Sequence, residues 1–155
     1  MIFFIRRKPR RSLRNTAIQS MNKLLGKIIR IESSEHMSLV DIDVSGEVFC
    51  SVVLETPQTA AYLIEGAAIT ILFKETEVSI AKNLSGQISL RNRFHGVVHS
   101  IECSNILAKI ILNYKNTQIT SIITSRSVDK LALKKGDEVE WLVKTNEVSL
   151  LRGEE

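Results

Sequence analysis

Along most of the chain, apolar and polar residues alternate with a period close to two, the spacing of strands that bury one face. In Leu39-Val40-Asp41-Ile42-Asp43-Val44, for example, Val40, Ile42 and Val44 fall on one face and both aspartates on the other. A related run, Lys109-Ile110-Ile111-Leu112, lies 70 residues further on, and that offset is general. Sliding the sequence by 70 aligns residues 22–83 with 92–153 without a gap, and thirteen of the 62 pairs are identical. They include Asn22/Asn92, Gly26/Gly96, Ile31/Ile101, Gly66/Gly136, Lys74/Lys144 and Glu77-Val78-Ser79/Glu147-Val148-Ser149. A gapless match over a whole unit indicates duplication, with a first copy at 21–85 and a second at 88–153.

Each copy is predicted to hold five strands. The first covers 26–32 or 96–102; its shared apolar positions, Ile28/Val98 and Ile31/Ile101, are three apart, so a bulge is expected. The second and third strands, 39–44 and 48–54 or 109–112 and 118–124, meet at hairpin turns around Ser45-Gly46-Glu47 and Lys115-Asn116-Thr117. A short helix is then expected in each copy. Thr56-Pro57 offers a cap with proline at the first helical position, Ser127 offers a cap before Val128, and Gly66 and Gly136 close the segment. Strand four covers 68–74 or 138–144 and a last short strand 78–80 or 148–150. This is an all-β chain of two tandem five-stranded OB-like barrels, each with one short helix, closed to leave no exposed edge.

Composition adds constraints. A 44% hydrophobic chain of 155 residues can bury a core, but either half alone is small and needs the other. The apolar runs stop well short of the ~20 residues of a membrane span. Cys50 and Cys103 occupy non-equivalent places and no CxxC or Cys/His cluster is present, which argues against a disulfide framework or a zinc site and for reduced thiols in cytoplasm. The net charge of +4 is concentrated in residues 1–20, where six Lys and Arg residues stand with no acid. Without them, 15 basic residues face 17 acidic ones, a net of −2. Residues 1–20 therefore read as a basic extension outside the folded copies, and Met21 stands where the first copy begins. A nucleic-acid-binding OB domain needs a basic groove with stacking aromatics; a mildly acidic body with 5% aromatic residues argues against one. His95 and His99 lack the glutamate of the zinc-protease pattern. Glu77 and Glu147 read as turn residues with no nucleophile beside them, so no enzymatic activity is expected.

The donor-rich stretches point to an anion. A tetrahedral oxyanion needs several N–H and O–H donors, a cation and a helix start with free amides. Copy two has Ser89, Arg91 and Asn92 ahead of its first strand, Thr124 and Ser127 at its helix start, and Lys144 and Thr145 at the end of strand four. Copy one retains only Asn22 and Lys74, with Met21, Leu54 and Pro57 in place of the arginine, threonine and serine and with Glu75 beside Lys74.

At these residues copy two resembles the molybdate-binding Mop or TOBE domains. Their Ser-Ala-Arg-Asn-x-apolar-x-Gly-x-Val hallmark is matched by Ser89-Leu90-Arg91-Asn92-Arg93-Phe94-His95-Gly96-Val97-Val98, with Leu90 in place of alanine. Ile123-Thr124-Ser125-Arg126-Ser127 and Gly136-Asp137-Glu138-Val139 through Lys144-Thr145 match two further segments. The tandem pair is similar to the two-repeat molbindins, small cytoplasmic proteins that hold molybdate or tungstate. The resemblance implies oxyanion ligands at Ser89, Arg91, Asn92, Thr124, Ser127, Lys144 and Thr145, with Asn22 and Lys74 as weaker candidates. It also implies a site between units contributed by different segments, a homo-oligomer, and no organic cofactor, nucleic acid or membrane partner. A regulatory module for a molybdate transporter or regulator, or an OB-type nucleic-acid-binding protein, is the alternative.

Overall fold

A computed structural model describes residues 21–153; the basic extension at 1–20 lies outside the described residues. Copy one forms β1 (Met21–Ser33), β2 (Ser38–Val44), β3 (Glu47–Val53), β4 (Ala68–Lys74) and β5 (Ser79–Ala81). Copy two forms β6 (Asn92–Cys103), β7 (Leu107–Tyr114), β8 (Thr117–Thr124), helix α1 (Ser125–Leu131), β9 (Glu138–Val143) and β10 (Ser149–Arg152). The expected bulge is present in both long first strands, between Ile28 and Arg30 and between Val98 and Ser100. Both hairpins turn through left-handed residues, Ser45 (φ 52°) with Gly46 (φ 90°) and Lys115 (φ 51°), as the twist of tight hairpins demands. Gly26 is fixed by packing: a Cβ there would stand 2.5 Å from Ile42 Cγ2 and 2.7 Å from the Asp43 carbonyl oxygen.

The two helix expectations fare differently. In copy two the helix forms, but its cap is Thr124, whose side chain accepts from the Ser127 amide, rather than Ser127 itself. In copy one the segment after β3 makes turns, with the Ala60 amide donating to Thr56 O at 2.8 Å. Pro57 suits a first helical turn, but the chain does not continue it. Leu63, 2% exposed, and Ala60 are drawn into the core instead.

The two sheets run in the orders β10-β4-β1-β2-β3 and β5-β9-β6-β7-β8. Each copy therefore gives its last strand to the other: β10 pairs with β4 and β5 pairs with β9. Short 3-10 turns, Glu75–Glu77 and Thr145–Glu147, carry the chain across. They deliver the buried Val78 and Val148, whose carbonyls accept from Ser121 Oγ at 2.6 Å and Ser51 Oγ at 2.9 Å in the opposite copy. β10 also lies against β3 and β5 against β8, so each sheet curls until its edge strands meet. These are the OB-like units expected, with their edges removed by exchange as well as by curvature.

One hydrophobic core serves both copies. Phe49 and Phe73 of copy one stack on Phe94 and Trp141 of copy two, with ring centroids 5.1 Å (Phe49–Phe94) and 5.8 Å (Phe73–Trp141) apart. Tyr114 closes the cluster edge-on to Trp141 and donates its hydroxyl to Glu47 of copy one at 2.6 Å. Sharing a core in this way resolves the shortage of buried surface in a half of this size.

Candidate oxyanion site

The stretch before β6 joins the two copies. Asn92 is completely buried, and its amide group pairs with the backbone of Cys50 in β3: the Cys50 N–H donates to Asn92 Oδ1 and Asn92 Nδ2 donates to Cys50 O, each at 2.7 Å. Asn22 does the same 70 residues earlier, receiving from the Thr120 amide at 2.7 Å and donating to Thr120 O at 2.8 Å. Each asparagine thus mimics one rung of a strand ladder across the copy boundary. The sequence places both among the donors to an anion; the fold uses their side chains to clamp the copies together. Asn92 thereby seats the adjoining Arg91 beside β3 of copy one.

Two charges bear on the Cys50 thiol, the Arg91 guanidinium and the carboxylate of Asp41, the cross-strand neighbour of Cys50 in β2. Burial and then the Asp41 carboxylate push the thiol up from 9.0 to about 12, and the Arg91 guanidinium pulls partly against them. Arg91 is itself exposed.

Ser89 and Lys144 meet in a cleft of about 360 Å³ lined also by Ser79, Leu90 and Val143. Lys144 is exposed at the end of β9, and the half-buried Thr145 opens the 3-10 turn that follows it. Leu90, where the family has alanine, forms part of the wall. Glu77 and Glu147 also line this cleft, and their negative charge opposes an anion there. A larger cleft of about 530 Å³ between β1, β4 and β10 is mostly apolar and contains none of the expected ligand residues.

Thr124 and Ser127 stand elsewhere. Their hydroxyls lie 2.9 Å apart at the start of α1. Register separates them from Arg91: Asn92 opens β6 opposite Val143, whereas Thr124 faces Leu107 beyond the far end of β6. Within one chain the fold therefore brings Ser89 to Lys144 and keeps Thr124 and Ser127 apart from both. In copy one, the exposed Lys74 faces Met21 at the end of β4, and Leu54, in the place of Thr124, is 81% exposed.

Among the described residues, neither Arg91 nor Lys144 is in an ion pair, while nearby cations are engaged. Arg93 pairs with Glu140 at 2.9 Å. Lys82, which follows β5 of copy one, binds Asp137 at 3.0 Å and donates to the carbonyls of Leu131 and Ala132 at the end of α1. The Lys82 ammonium, with the Lys134 amide, holds the Asp137 carboxyl below its ordinary value. Sequence reasoning does not single out Lys82, Asp41 or Cys50 as site residues. The basic pair Lys82/Arg152 at the repeat offset is the signal that marks the first; Asp41 and Cys50 have none. Among the described residues no cluster of His, Cys, Asp and Glu is arranged to hold a metal ion, and no helix is long and apolar enough to cross a membrane.

Comparison with known proteins gives these positions a context. The TOBE domain family model matches residues 88–150. The chain is similar to the cytoplasmic molybdate-binding protein ModG, solved with molybdate bound: 28% identity and a TM-score of 0.78 over 83% of this chain and 94% of that one. A molybdate-binding protein from Sporomusa ovata is 41% identical over 38% of this chain and 88% of its own, with a TM-score of 0.38. MopII from Clostridium pasteurianum is 35% identical over 38% and 90%, with a TM-score of 0.37. No curated protein sequence matches the chain. With a direct family match over copy two and the same strand order, bulge and hairpin in both copies, the chain belongs to the TOBE-domain family as a tandem pair of OB-like Mop/TOBE units.

Proposed function

We propose that this chain binds a tetrahedral oxyanion, molybdate or tungstate, and serves as a cytoplasmic store, buffer or sensor of it rather than as an enzyme. The observation that carries this reading is the distribution of donors, two of them cations without an ion-pair partner among the described residues. Arg91, Ser89 and Lys144 sit at one end of copy two with no ion-pair partner for either cation among the described residues, while Thr124, Ser127 and the start of α1 sit at the other end. A ligand shell that uses both sets forms when the two ends of different chains meet, so the reading includes a homo-oligomer with the anion at its interfaces. ModG, which shares the fold over nearly its whole length, binds molybdate, and this supports the choice of anion. Charge-assisted bonds from Arg91 and Lys144 supply the strength; the hydroxyls of Ser89, Thr124, Ser127 and Thr145 supply the geometry. Asn22 and Asn92 hold the copies in register, and Lys74 is left without matching hydroxyls around it.

Calorimetric titration of the full chain with molybdate, tungstate and sulfate, with native mass spectrometry of the loaded protein, tests this directly. Tight binding of the first two with sulfate weaker, and an oligomer carrying bound metal, is expected. Absence of binding for all three anions refutes the reading. Arg91→Ala should weaken molybdate binding by about 1.5–3 kcal/mol, the range for a hydrogen bond to a charged group, whereas Met21→Ala, at the equivalent place in copy one, should change it little.

A further inference from the structure

The junction seating Arg91 holds a carboxylate that the oxyanion reading does not use. Asp41 lies opposite Cys50 in the β2–β3 ladder, and its Oδ1 is buried without a hydrogen-bond partner among the described residues. Asn92 pins the Cys50 backbone from the other copy through two 2.7 Å bonds, and so brings the neighbouring Arg91 to the same stretch of β3. Asp41, through the β2–β3 register, and Arg91, through its neighbour Asn92, thus flank Cys50 from opposite copies.

The pseudo-equivalent junction shows what this arrangement replaces. Asn22 clamps Thr120 in the same way, but the positions matching Asp41, Cys50 and Arg91 are Ile111, Thr120 and Met21. The fold accepts a junction without charge, so neither the acid nor the arginine is needed to build it. The two charges occur together at one junction and are absent together from the other. An acid with an unpartnered, desolvated oxygen attracts the nearest cation, and the exposed guanidinium beside Cys50 is one such cation.

We propose that Asp41 is a positioning residue for Arg91: acting across Cys50, it holds the guanidinium against copy one and competes with the bound oxyanion for its charge, and so sets the affinity of that end of the chain. This rests on the reading that Arg91 is an oxyanion ligand. The pull on Arg91 itself exists whether or not an anion binds, and that separates the two claims.

The test uses the full chain as wild type, Asp41→Asn, Arg91→Ala and the double variant, each titrated with molybdate, together with the 15N signal of Arg91 Nε in anion-free protein. Asp41→Asn should tighten molybdate binding by about two- to fivefold, the range for a solvent-screened charge pair. It should have no effect in the Arg91→Ala background and should move the Arg91 Nε signal. Asp41→Ile, which takes the residue of the other junction, keeps the test open if the asparagine variant folds poorly. Equal effects of Asp41→Asn in both backgrounds, or an unmoved Nε signal, overturn the proposal. Failure of wild type to bind molybdate refutes the oxyanion reading instead, and the Nε signal then decides the hold of Asp41 on Arg91 by itself.

Discussion

Replacing Asn92 by alanine is the sharpest test of how the copies are joined. The side chain is fully buried and both of its hydrogen bonds go to the Cys50 backbone at 2.7 Å. Alanine removes both partners at once and leaves the Cys50 N–H and C=O enclosed at the copy boundary. An unsatisfied buried group costs about 1–3 kcal/mol, so the pair amounts to about 2–6 kcal/mol. That is a large part of the stability of a chain this size. Urea unfolding monitored by circular dichroism should show a single transition whose midpoint falls with the slope unchanged, since the surface exposed on unfolding is the same. Asn92→Asp sharpens the test. An ionised aspartate still accepts from the Cys50 amide but repels the Cys50 carbonyl, and only its protonated form donates to that oxygen. Its folded pKa should therefore be raised, so this variant's deficit should shrink as pH falls. A loss below about 1 kcal/mol for Asn92→Ala would mean that water takes over both Cys50 groups and the clamp is dispensable.

The same geometry makes other variants and conditions informative. Cys50 is buried and its thiol is held up at about 12, whereas Cys103 is exposed; at pH 8 a thiol reagent should titrate one cysteine per native chain and two in urea. The raised folded value means that Cys50 ionises in the unfolded chain first, so stability should fall as pH rises from about 9 towards 12, which a series of unfolding curves checks. Lys82→Met removes the Asp137 partner and two capping bonds from the end of α1; a loss of about 1 kcal/mol and faster amide exchange confined to 125–137 are expected, and unchanged exchange there counts against a capping role. Gly26→Ala drives a methyl to within 2.5 Å of Ile42 Cγ2, and overpacking of this kind should cost about 1–3 kcal/mol in melting experiments.

Much of the strand layout is legible because it is written locally. The three-residue gap between Ile28 and Ile31 breaks a period of two, and the bulge lies there. Ser45-Gly46 and Lys115-Asn116 mark the hairpins because a glycine or an asparagine breaks the apolar alternation at hairpin distance, and the turns lie there. What the pattern does not convey is whose neighbour a strand becomes. Val78-Ser79-Ile80 reads as a short strand whichever sheet receives it, so the exchange of β5 and β10 is invisible in the sequence. The helix expected after Thr56-Pro57 fails for a related reason: a good cap and a proline start favour one turn, and burial of Ala60 and Leu63 then sets the path of the chain. The clamp made by Asn92 is not legible either, because a polar residue opening a strand looks the same whether its side chain faces an anion or a backbone. Asp41, in an alternating strand, looks solvent-facing until copy two is laid over it.

The distribution of identities between the copies fits this division of labour. Asn22/Asn92 clamp the opposite copy, Ser51/Ser121 bind the carbonyls of Val78/Val148 across the boundary, and Gly66/Gly136 hold left-handed turns ahead of strand four at φ 89° and 91°. All of these pairs are identical; the asparagines and serines join the two copies, and the glycines shape each copy's own turn. The differing positions include four that an anion would touch, Met21 for Arg91, Leu54 for Thr124, Pro57 for Ser127 and Glu75 for Thr145, while Lys74/Lys144 stays identical. A copy that had merely decayed would have lost both classes together. Copy one supplies what completes copy two's sheet, because β5, the Cys50 backbone and Val78 are parts of copy two's environment as much as of its own. Most of its donor positions differ, and no part of the shared core or either sheet depends on them. The exchange of strands therefore explains how a copy poor in anion donors persists: copy two cannot close its sheet without it.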